Sequence, residues 1–458
     1  MIWLNPKTNL MEEIEHNFAL QDSDRPYLFR DLFSYEEIPR IAFNNISVPK
    51  NMPEEIWITD TTFRDGQQAR KPYTVEQIVH IYKELHRLGG PKGLVRQSEF
   101  FLYTQKDKEA VYKCRELGYE FPEVTSWIRA SKKDFQMVRE MELEETGILV
   151  SCSDYHIYKK MKMTRKQALD HYVGVVKDCI ETGVRPRCHF EDITRADFYQ
   201  FVVPFAIELW KIGQEAGMPV KIRACDTMGY GVSYPGVMLP RSVPGIIHGL
   251  YHYARIPSDM IEWHGHNDFY KSVSNASNAW LYGASAVNCS MFGIGERTGN
   301  TPLEAMVIEY AQFKGALDSM DPTVITDLAD YYTNELGYRI PPRTPFAGSE
   351  FNLTRAGVHA DGLLKNEEIY NIFDTDKILN RPVKIAISNT SGTSGIAHWI
   401  NSNFKLKDED SVVKTNGLVI AVKEWVDRQF DEGRTTVIGD AELMEVVLQF
   451  KQDMGVEF

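Results

Sequence analysis

An alternation of strands and helices from residue 56 to about 320 limits the folds open to this chain more than any other feature. Short apolar or β-branched runs predict strands at 56–60, 93–100, 123–128, 147–151, 185–190, 221–225, 260–266 and 286–291. Stretches with helical spacing lie between them, at 74–88, 108–117, 132–142, 164–182, 196–216 and 272–282. Eight strands alternating with helices predict an α/β fold, the (β/α)8 TIM barrel.

An open, doubly wound sheet is the alternative fold. No Gly-X-Gly-X-X-Gly motif follows the first predicted strand, which weakens a dinucleotide-binding fold. Amphipathic helices are predicted at 418–430 and 440–450, after the alternation has stopped. We therefore expect three parts, namely an N-terminal extension at 1–55, a catalytic barrel at 56–320, and a mainly helical C-terminal lid and dimerisation subdomain at 321–458. The extension either docks on the barrel or is exchanged between subunits.

The charge and the cysteines exclude several classes of protein. The 458 residues carry a net charge of −13, so neither nucleic acid nor a membrane is an expected partner. An anionic substrate would then need a local cationic pocket. The six cysteines form no Cys-X-X-Cys pair, and no apolar run approaches the ~18 residues of a membrane span. The N-terminus shows no basic-then-apolar signal, and we expect a cytoplasmic protein.

Polar side chains cluster at the C-terminal ends of the predicted strands, where barrel enzymes carry their chemistry. The clusters are 60–68 after the first strand, Ser151, Ser153 and His156 after the fourth, Arg187, His189, Glu191 and Asp192 on the fifth, Asp226 and Thr227 after the sixth, His264 and His266 on the seventh, and 293–300 after the eighth. A random distribution would not place every cluster on one rim. The sequence therefore predicts an active site there.

His264 and His266 stand two residues apart in a predicted strand, so their side chains point the same way. If the strand is buried, two imidazoles converge, an arrangement that suits a divalent metal with a third ligand from elsewhere. The alternative is a pair of hydrogen-bonded core histidines. The other polar clusters on the same rim favour the metal.

Three motifs carry a resemblance to a known family. Asp-Thr-Thr-Phe-Arg-Asp-Gly-Gln-Gln at 60–68, His-Gly-His-Asn-Asp at 264–268 and Gly-Ile-Gly-Glu-Arg-Thr-Gly-Asn at 293–300 resemble the acetyl-CoA-dependent synthases related to isopropylmalate, homocitrate and citramalate synthases. The resemblance covers roughly 56–400 and is greatest to the Re-type citrate synthases. It implies an acyltransferase that condenses acetyl-CoA with oxaloacetate to citrate and CoA, a step of the tricarboxylic acid cycle. Homocitrate synthesis from 2-oxoglutarate and isopropylmalate or citramalate synthesis are the alternatives.

The resemblance also assigns roles to residues. It implies that Asp65, His264 and His266 bind a divalent metal, with Asn300 as a possible fourth ligand. Mn, Co, Zn and Mg are candidates, and Mn or Co is favoured because Mg prefers more oxygen ligands. Glu191, in Glu-Asp-Ile-Thr-Arg at 191–195, is the expected acid/base. His359 and Tyr370 are expected to assist from the partner subunit of a homodimer or larger homo-oligomer.

Arg64, beside Asp65, can hydrogen-bond the alkoxide that develops during condensation. Its alternative role is a structural ion pair. Arg187 shares a strand face with Glu191 and resembles the homocitrate synthase arginine that receives a distal carboxylate, which favours a 2-oxo dicarboxylic acid as substrate. Its alternative is an outer ion pair with Asp192. The remaining expected substrate contacts are His156, Thr227, Arg96 and Lys271.

Arg96 and Lys271 stand where the chain departs from the family pattern, and salt bridges between barrel loops are their alternative role. Two other classes of function are less favoured. Biotin-linked lyases and carboxyltransferases carry a lysine on the fifth strand, and 185–189 has none. A non-catalytic binding barrel would not need the full set of Arg64, Asp65, His264, His266 and Glu191.

Overall fold

The computed structural model describes residues 2–13, 18–355, 357–406 and 408–456. The chain forms two compact units, Met1–Asp321 and Pro322–Phe458. Among the described residues, no helix is both long and apolar enough to cross a membrane.

Eight parallel strands close into a barrel in the first unit, which confirms the predicted (β/α)8 fold. Three short strands precede the barrel: β1 (Ile2–Asn5), β2 (Leu10–Glu13) and β3 (Ile46–Ser47). The barrel strands are β4 (Trp57–Asp60), β5 (Val95–Phe100), β6 (Glu123–Ile128), β7 (Glu145–Ser151), β8 (Arg185–Glu191), β9 (Lys221–Asp226), β10 (Ile261–Gly265) and β11 (Ala286–Cys289). Pairing of β11 with β4, Ala286 opposite Trp57, closes the barrel.

Helices connect the strands. They are α1 (Asp65–Gln68), α2 (Val75–Gly89), α3 (Gln105–Glu116), α4 (Lys132–Glu140), α5 (Arg165–Glu181), α6 (Val203–Ala216), α7 (Val243–His252), α8 (Ser272–Tyr282) and α9 (Leu303–Lys314). Thr74, Thr104 and Thr164 start α2, α3 and α5 with capping boxes, in which the threonine hydroxyl accepts from a backbone N–H three residues on. The helix predicted at 196–216 is interrupted, because a π-helical turn at Phe198–Val202 precedes α6.

The N-terminal extension docks on the barrel of its own chain. The backbone N–H of Tyr27 donates to Asp154 Oδ2 (2.7 Å), in the loop after β7. Arg241 Nη1 donates to the carbonyls of Pro39 and Arg40, at 3.1 and 2.6 Å. These contacts favour the first of the two alternatives expected from the sequence and place 27–40 beside the loops at the C-terminal ends of the strands.

The second unit is mainly helical, as predicted. Its elements are α10 (Val324–Asn334), β12 (Leu353–Thr354), α11 (Gly357–Lys365), α12 (Thr375–Leu379), β13 (Lys384–Ile385), α13 (Thr393–Phe404), α14 (Gly417–Asp431) and α15 (Asp440–Met454). Buried apolar side chains of α13, α14 and α15, among them Ile400, Val422 and Leu443, form its core. Their helical spacing is the pattern that predicted the last two helices.

Candidate active site

Charged side chains fill the centre of the barrel. Glu99 on β5 is the hub, because its carboxylate accepts from the guanidinium groups of Arg64, Arg187 and Arg223. Arg223 also donates to both oxygens of Glu262, at 2.7 and 3.1 Å. All five side chains are buried. Burial alone would raise the pKa of Glu99, but the three arginines outweigh it and hold that pKa well below its usual range.

Arg64 is the member of this network that directly precedes α1. Its Nε donates to Glu99 Oε2 at 2.6 Å, and its Nη1 donates to Asp65 Oδ1. These bonds use two of the five N–H groups that a guanidinium offers. The arginine is therefore fixed in position by two carboxylates, with N–H groups still to offer to a substrate.

His264 and His266 converge at the end of β10, as the strand alternation predicted. Their Nε2 atoms are 3.3 Å apart, and His264 Nε2 is 3.6 Å from Asp65 Oδ2. Asn288 Nδ2 donates to Thr59 Oγ1 at 2.9 Å, so its Oδ1 faces His264 Nδ1, 2.7 Å away. Nδ1 of His264 therefore carries the hydrogen, and Nε2 presents its lone pair to the point where the three side chains meet.

The charges at this point suit a metal. Burial lowers the pKa of His264, and burial together with the neighbouring His264 lowers the pKa of His266 to about 4. Both imidazoles are thus neutral near pH 7. Burial would raise the pKa of Asp65, but Arg64 and the two imidazoles outweigh it and lower that pKa. One carboxylate and two neutral imidazoles are a common donor set for a divalent transition metal.

Asn300 adds a fourth potential ligand, the oxygen of its side-chain amide. Its Nδ2 donates to Asp65 Oδ2 at 2.9 Å, whereas its buried Oδ1 has no hydrogen-bond partner among the described residues. Gly295 makes room for it, because a β-carbon at residue 295 would overlap Asn300 Oδ1. A buried carbonyl oxygen without a partner is costly, and a bound cation would satisfy it.

No three His, Cys, Asp or Glu side chains in the described parts of the chain already form a complete metal-binding group. Both oxygens of Asp65 are engaged, one by Arg64 and the other by Asn300. The donor types, their convergence within 3.6 Å and the unpaired Asn300 oxygen nevertheless fit a divalent cation. We therefore carry the four residues forward as a candidate metal centre.

Glu191 ends β8 on the same rim. Its Oε2 lies 2.9 Å from His156 Nδ1 and 3.4 Å from Lys160 Nζ, and Ser151 donates to the same oxygen. Burial raises the pKa of Glu191, but His156, Ser151 and Lys160 together outweigh it and bring that pKa to about 2. Glu191 is thus an ionised carboxylate paired with an imidazole, and His156 is its partner as well as an expected substrate contact.

Thr227 and Lys271 also lie on this rim but make protein contacts. Thr227 Oγ1 accepts from the backbone N–H of Asp192 (2.8 Å), and its carbonyl accepts from Arg297 Nη2 (2.6 Å). Lys271 Nζ donates to the hydroxyl of Tyr234 at 2.9 Å. Their substrate contacts remain predictions.

The structure corrects the expected position of Arg96. It is the second residue of β5, at the N-terminal end of the strand and away from the rim. Its guanidinium lies over the rings of Trp57 and Phe121, with centroid distances of 4.8 and 5.0 Å. Glu55 approaches within 3.9 Å, so a structural role replaces the substrate contact.

Arg187 is also corrected. It is fully buried inside the barrel, where Nη1 donates to Glu145 at 2.6 Å and Nη2 donates to Glu99. All three of its nitrogens donate to side chains inside the barrel and none of its surface is exposed, so it is not free to receive a substrate carboxylate. The predicted alternative, in which Arg187 lies outside and pairs with Asp192, is wrong as well. Arg187 is buried inside the barrel, and Asp192 accepts from Arg195 instead.

His359 and Tyr370 lie together in the second unit. Their ring centroids are 4.5 Å apart, and both side chains are exposed. Sequence spacing alone gave no reason to expect them in contact. Their expected role in a partner's site stays a prediction.

Glu99, Arg223 and Glu262 are the residues that the sequence analysis missed. A usable signal was present, since Glu262 stands two residues before His264 and therefore shares its face of β10. The same alternation places Arg223 on the inner face of β9, two residues before Cys225. The strand alternation that was applied to the two histidines would therefore have identified Arg223 and Glu262 as inward-facing residues.

Comparison with known proteins decides the family. The HMGL-like family matches residues 55–331, more than half of the chain. This chain belongs to the HMGL-like family. Its curated relatives include two named Citrate (Re)-synthase. That of Clostridium kluyveri is 58% identical over 433 residues, 94% of this chain and 96% of the relative. That of Syntrophus aciditrophicus is 51% identical over 98% of this chain and 72% of the relative.

A 2-phosphinomethylmalate synthase of Streptomyces hygroscopicus is more distant, at 34% identity over 96% of this chain and the whole of the relative. The resemblance predicted from the three motifs is thereby confirmed, and each of these alignments extends well beyond the barrel into the second unit. Members of the HMGL-like family are generally dependent on a divalent metal.

Proposed function

We propose that this protein is a Re-type citrate synthase, an acyltransferase that condenses acetyl-CoA with oxaloacetate to give citrate and CoA. The observation that carries the proposal is the 58% identity, over 94% of the chain, to a relative named Citrate (Re)-synthase. The convergence of Arg64, Asp65, His264 and His266 at one buried point supports it.

The proposed metal ligands are Asp65, His264, His266 and Asn300. A divalent metal held there, Mn or Co by preference, would supply a Lewis acid that polarises the keto group of a 2-oxo acid. Arg64 acts on the same oxygen, because its free N–H groups donate to the negative charge that develops during attack. Glu99 orients Arg64 through the 2.6 Å bond to Nε.

Glu191 and His156 form the proposed acid–base pair. The carboxylate takes a proton from the methyl group of acetyl-CoA, and the resulting carbanion attacks the keto carbon of oxaloacetate. A carboxylate with a pKa of about 2 is a weak base, so we assign the proton to the pair, with His156 Nδ1 2.9 Å away. The keto oxygen, an alkoxide after the attack, takes this proton back from the pair and becomes the citrate hydroxyl. Water then cleaves the thioester and releases the CoA thiol.

The distal carboxylate of oxaloacetate needs a cation other than Arg187. Lys160 is the candidate that the structure adds, because its side chain is exposed and its ammonium lies 3.4 Å from Glu191. Thr227 and Lys271 stay in the proposal as contacts from the loops after β9 and β10. Lys160 and Lys271 together would replace the predicted role of Arg187.

We further propose a cytoplasmic homodimer in which His359 and Tyr370 assist the partner's site. Six free, buried cysteines support a reducing compartment. The contact between the two exposed rings supports their acting together.

The test is release of free thiol from acetyl-CoA, measured across a panel of 2-oxo acids with added Mn or Co. We expect oxaloacetate to give the highest specificity constant. The product should be citrate by mass spectrometry, and a metal-chelated preparation should be inactive. Preference for 2-oxoglutarate would make the protein a homocitrate synthase, and preference for pyruvate or 2-oxoisovalerate would contradict a dicarboxylate substrate.

A further inference from the structure

We infer that a cationic, aromatic groove beside the candidate active site binds the phosphorylated adenosine of CoA, and that the N-terminal extension builds one wall of it. This inference rests on the proposed function, because it assigns a place to the nucleotide of the same acyl donor. CoA carries its thioester and its phosphates at opposite ends of a long arm. A site for it therefore needs two neighbouring regions.

The groove has a volume of about 500 Å³. Three of its walls follow the C-terminal ends of barrel strands: Tyr155 and Lys159 after β7, Arg195 after β8, and Tyr230 after β9. The fourth wall is the extension, which contributes Arg30, Phe33, Tyr35, Glu37 and Pro39. The extension lies outside residues 55–331, the part of the chain that matches the family. One wall of the groove thus lies outside the barrel that the family model matches.

The groove is positive in an acidic protein. Arg30, Lys159 and Arg195 line it against a single acidic lining residue, Glu37, whereas the chain as a whole carries −13. Arg195 Nε is paired with the buried Asp192 at 2.9 Å. Arg30 and Lys159 are exposed, and neither has an ion pair with a carboxylate among the described residues. A net positive groove in this setting matches the local cationic pocket that an anionic substrate requires.

The aromatic rings are arranged for a planar base. The guanidinium of Arg195 lies 4.1 Å from the ring centroid of Tyr155, and Arg30 lies 5.7 Å from the same centroid. Tyr35 is 91% exposed, and its backbone has φ of 76°, in the left-handed region that a residue with a β-carbon rarely adopts. A strained turn that holds an aromatic ring in water at the edge of a cationic groove is suited to stack against adenine.

The groove adjoins the acid–base pair. Tyr155 and His156 are consecutive residues, and Arg195 pairs with Asp192, whose Oδ2 lies 3.7 Å from His156 Nε2. An acyl donor whose phosphates lie in the groove can therefore direct its thioester toward Glu191. An inorganic anion has no planar base to stack on the aromatic rings, whereas a nucleotide has one, and the rings therefore favour a nucleotide as the ligand.

Acetylpantetheine, an acyl donor without the nucleotide, separates this inference from other effects. In Lys159→Glu and in Arg30→Ala we expect the specificity constant for acetyl-CoA to fall on the order of tenfold, as for one lost charge-assisted contact. The constant for acetylpantetheine should fall much less. Tyr35→Ala should weaken competition by adenosine 3′,5′-bisphosphate against acetyl-CoA. Lys83→Ala, an exposed lysine on α2, is the control.

Equal losses for both donors, a similar effect of Lys83→Ala, or inhibition by adenosine 3′,5′-bisphosphate that is not competitive with acetyl-CoA would overturn the inference. Calorimetric titration with CoA tests the inference by binding alone, without relying on turnover. If wild type releases no thiol with any 2-oxo acid but binds CoA, and Lys159→Glu weakens that binding, the proposed function fails and the groove stands. If wild type turns over but Lys159→Glu and Arg30→Ala bind CoA as wild type does, the groove fails and the function stands.

Discussion

Arg64 illustrates how a single side chain depends on buried charge. Its position is determined by Glu99 and Asp65, and Glu99 is in turn held by Arg187 and Arg223. Removing one member of such a buried network leaves an unpaired charge, which is strongly destabilising. Arg187 therefore supports the site indirectly, because it holds the carboxylate of Glu99 that positions Arg64, although Arg187 is not a substrate contact.

Arg64→Lys tests the role of the guanidinium. A lysine keeps the charge but cannot donate to Glu99, Asp65 and a developing alkoxide at once. We expect turnover to fall by roughly 10²–10³, with a smaller change in the Michaelis constants, because the lost donor acts mainly in the transition state. Steady-state kinetics measure both. Arg115→Lys, at a partly exposed ion pair with Glu142, is the matched control. Near-native turnover would return Arg64 to a purely structural role.

Glu304 permits a prediction about pH. This glutamate of α9 is buried and accepts from the backbone N–H of Phe292 at 2.9 Å. Burial raises its pKa to about 7. The folded protein thus retains a proton that the unfolded chain loses above about pH 4.5, so this residue makes the free energy of unfolding decrease as pH rises from 4.5 through 7.

Glu304→Gln keeps the acceptor and removes the charge. We expect the variant to be more stable than wild type at pH 8, by on the order of 3 kcal/mol at most, and the difference to vanish near pH 4. Urea unfolding across this pH range measures it. Glu116→Gln, at the exposed end of α3, should show no comparable trend. A constant difference at all pH values would mean that Glu304 is not the titrating group.

At the scale of elements, the strands were predictable and the contacts between them were not. The predicted strand at 123–128 coincides with β6, and the other barrel strands begin and end within two residues of their predicted bounds. Strong apolar runs bounded by turns account for this accuracy. The helices α7 and α9 were not predicted, and the antiparallel sheet of β1, β2 and β3 left no clear pattern in the extension.

The candidate site shows the same division. The convergence of Asp65, the two histidines and Asn300 could be predicted because they stand in continuous motifs at strand ends, whereas metal binding by them stays a prediction. Arg187 was correctly placed on the inner face, but its partners Glu99 and Glu145 come from other strands. Neighbouring strands of a barrel are shifted relative to one another along their length, and this shift decides which inward-facing residues of different strands lie at the same height. The shift cannot be read from the sequence of a single strand.

The turn at 293–300 permits a prediction about metal affinity. It closes on the site through Asn300, and Gly295 leaves the space that Asn300 Oδ1 occupies. Gly295→Ala should displace Asn300 and lower metal affinity about 10- to 100-fold, as for loss of a supporting group. Metal titration of the apo protein measures this, with His266→Ala as the reference for a severe loss. Gly174→Ala, in α5 with open space around it, is the control. Unchanged affinity would remove Asn300 from the metal centre.

At the scale of the whole molecule, the second unit carries two residues that the family resemblance links to catalysis. His359 and Tyr370 are adjacent and exposed there, which is the expected state of residues that act on another surface. The curated relatives align across both units, so the second unit is a regular part of proteins of this kind. We predict that these two residues complete the active site of the partner subunit.

Mixing two inactive variants tests this prediction. His359→Ala keeps an intact barrel, and Glu191→Gln keeps an intact second unit. Random exchange between homodimers makes half of them hybrids, each with one complete site, so activity should return to about a quarter of wild type. Thiol release after subunit exchange, verified by native mass spectrometry, measures the recovery, and each variant mixed with itself is the control. If hybrids form and stay inactive, every site is built within one chain, and the prediction of a shared site is wrong.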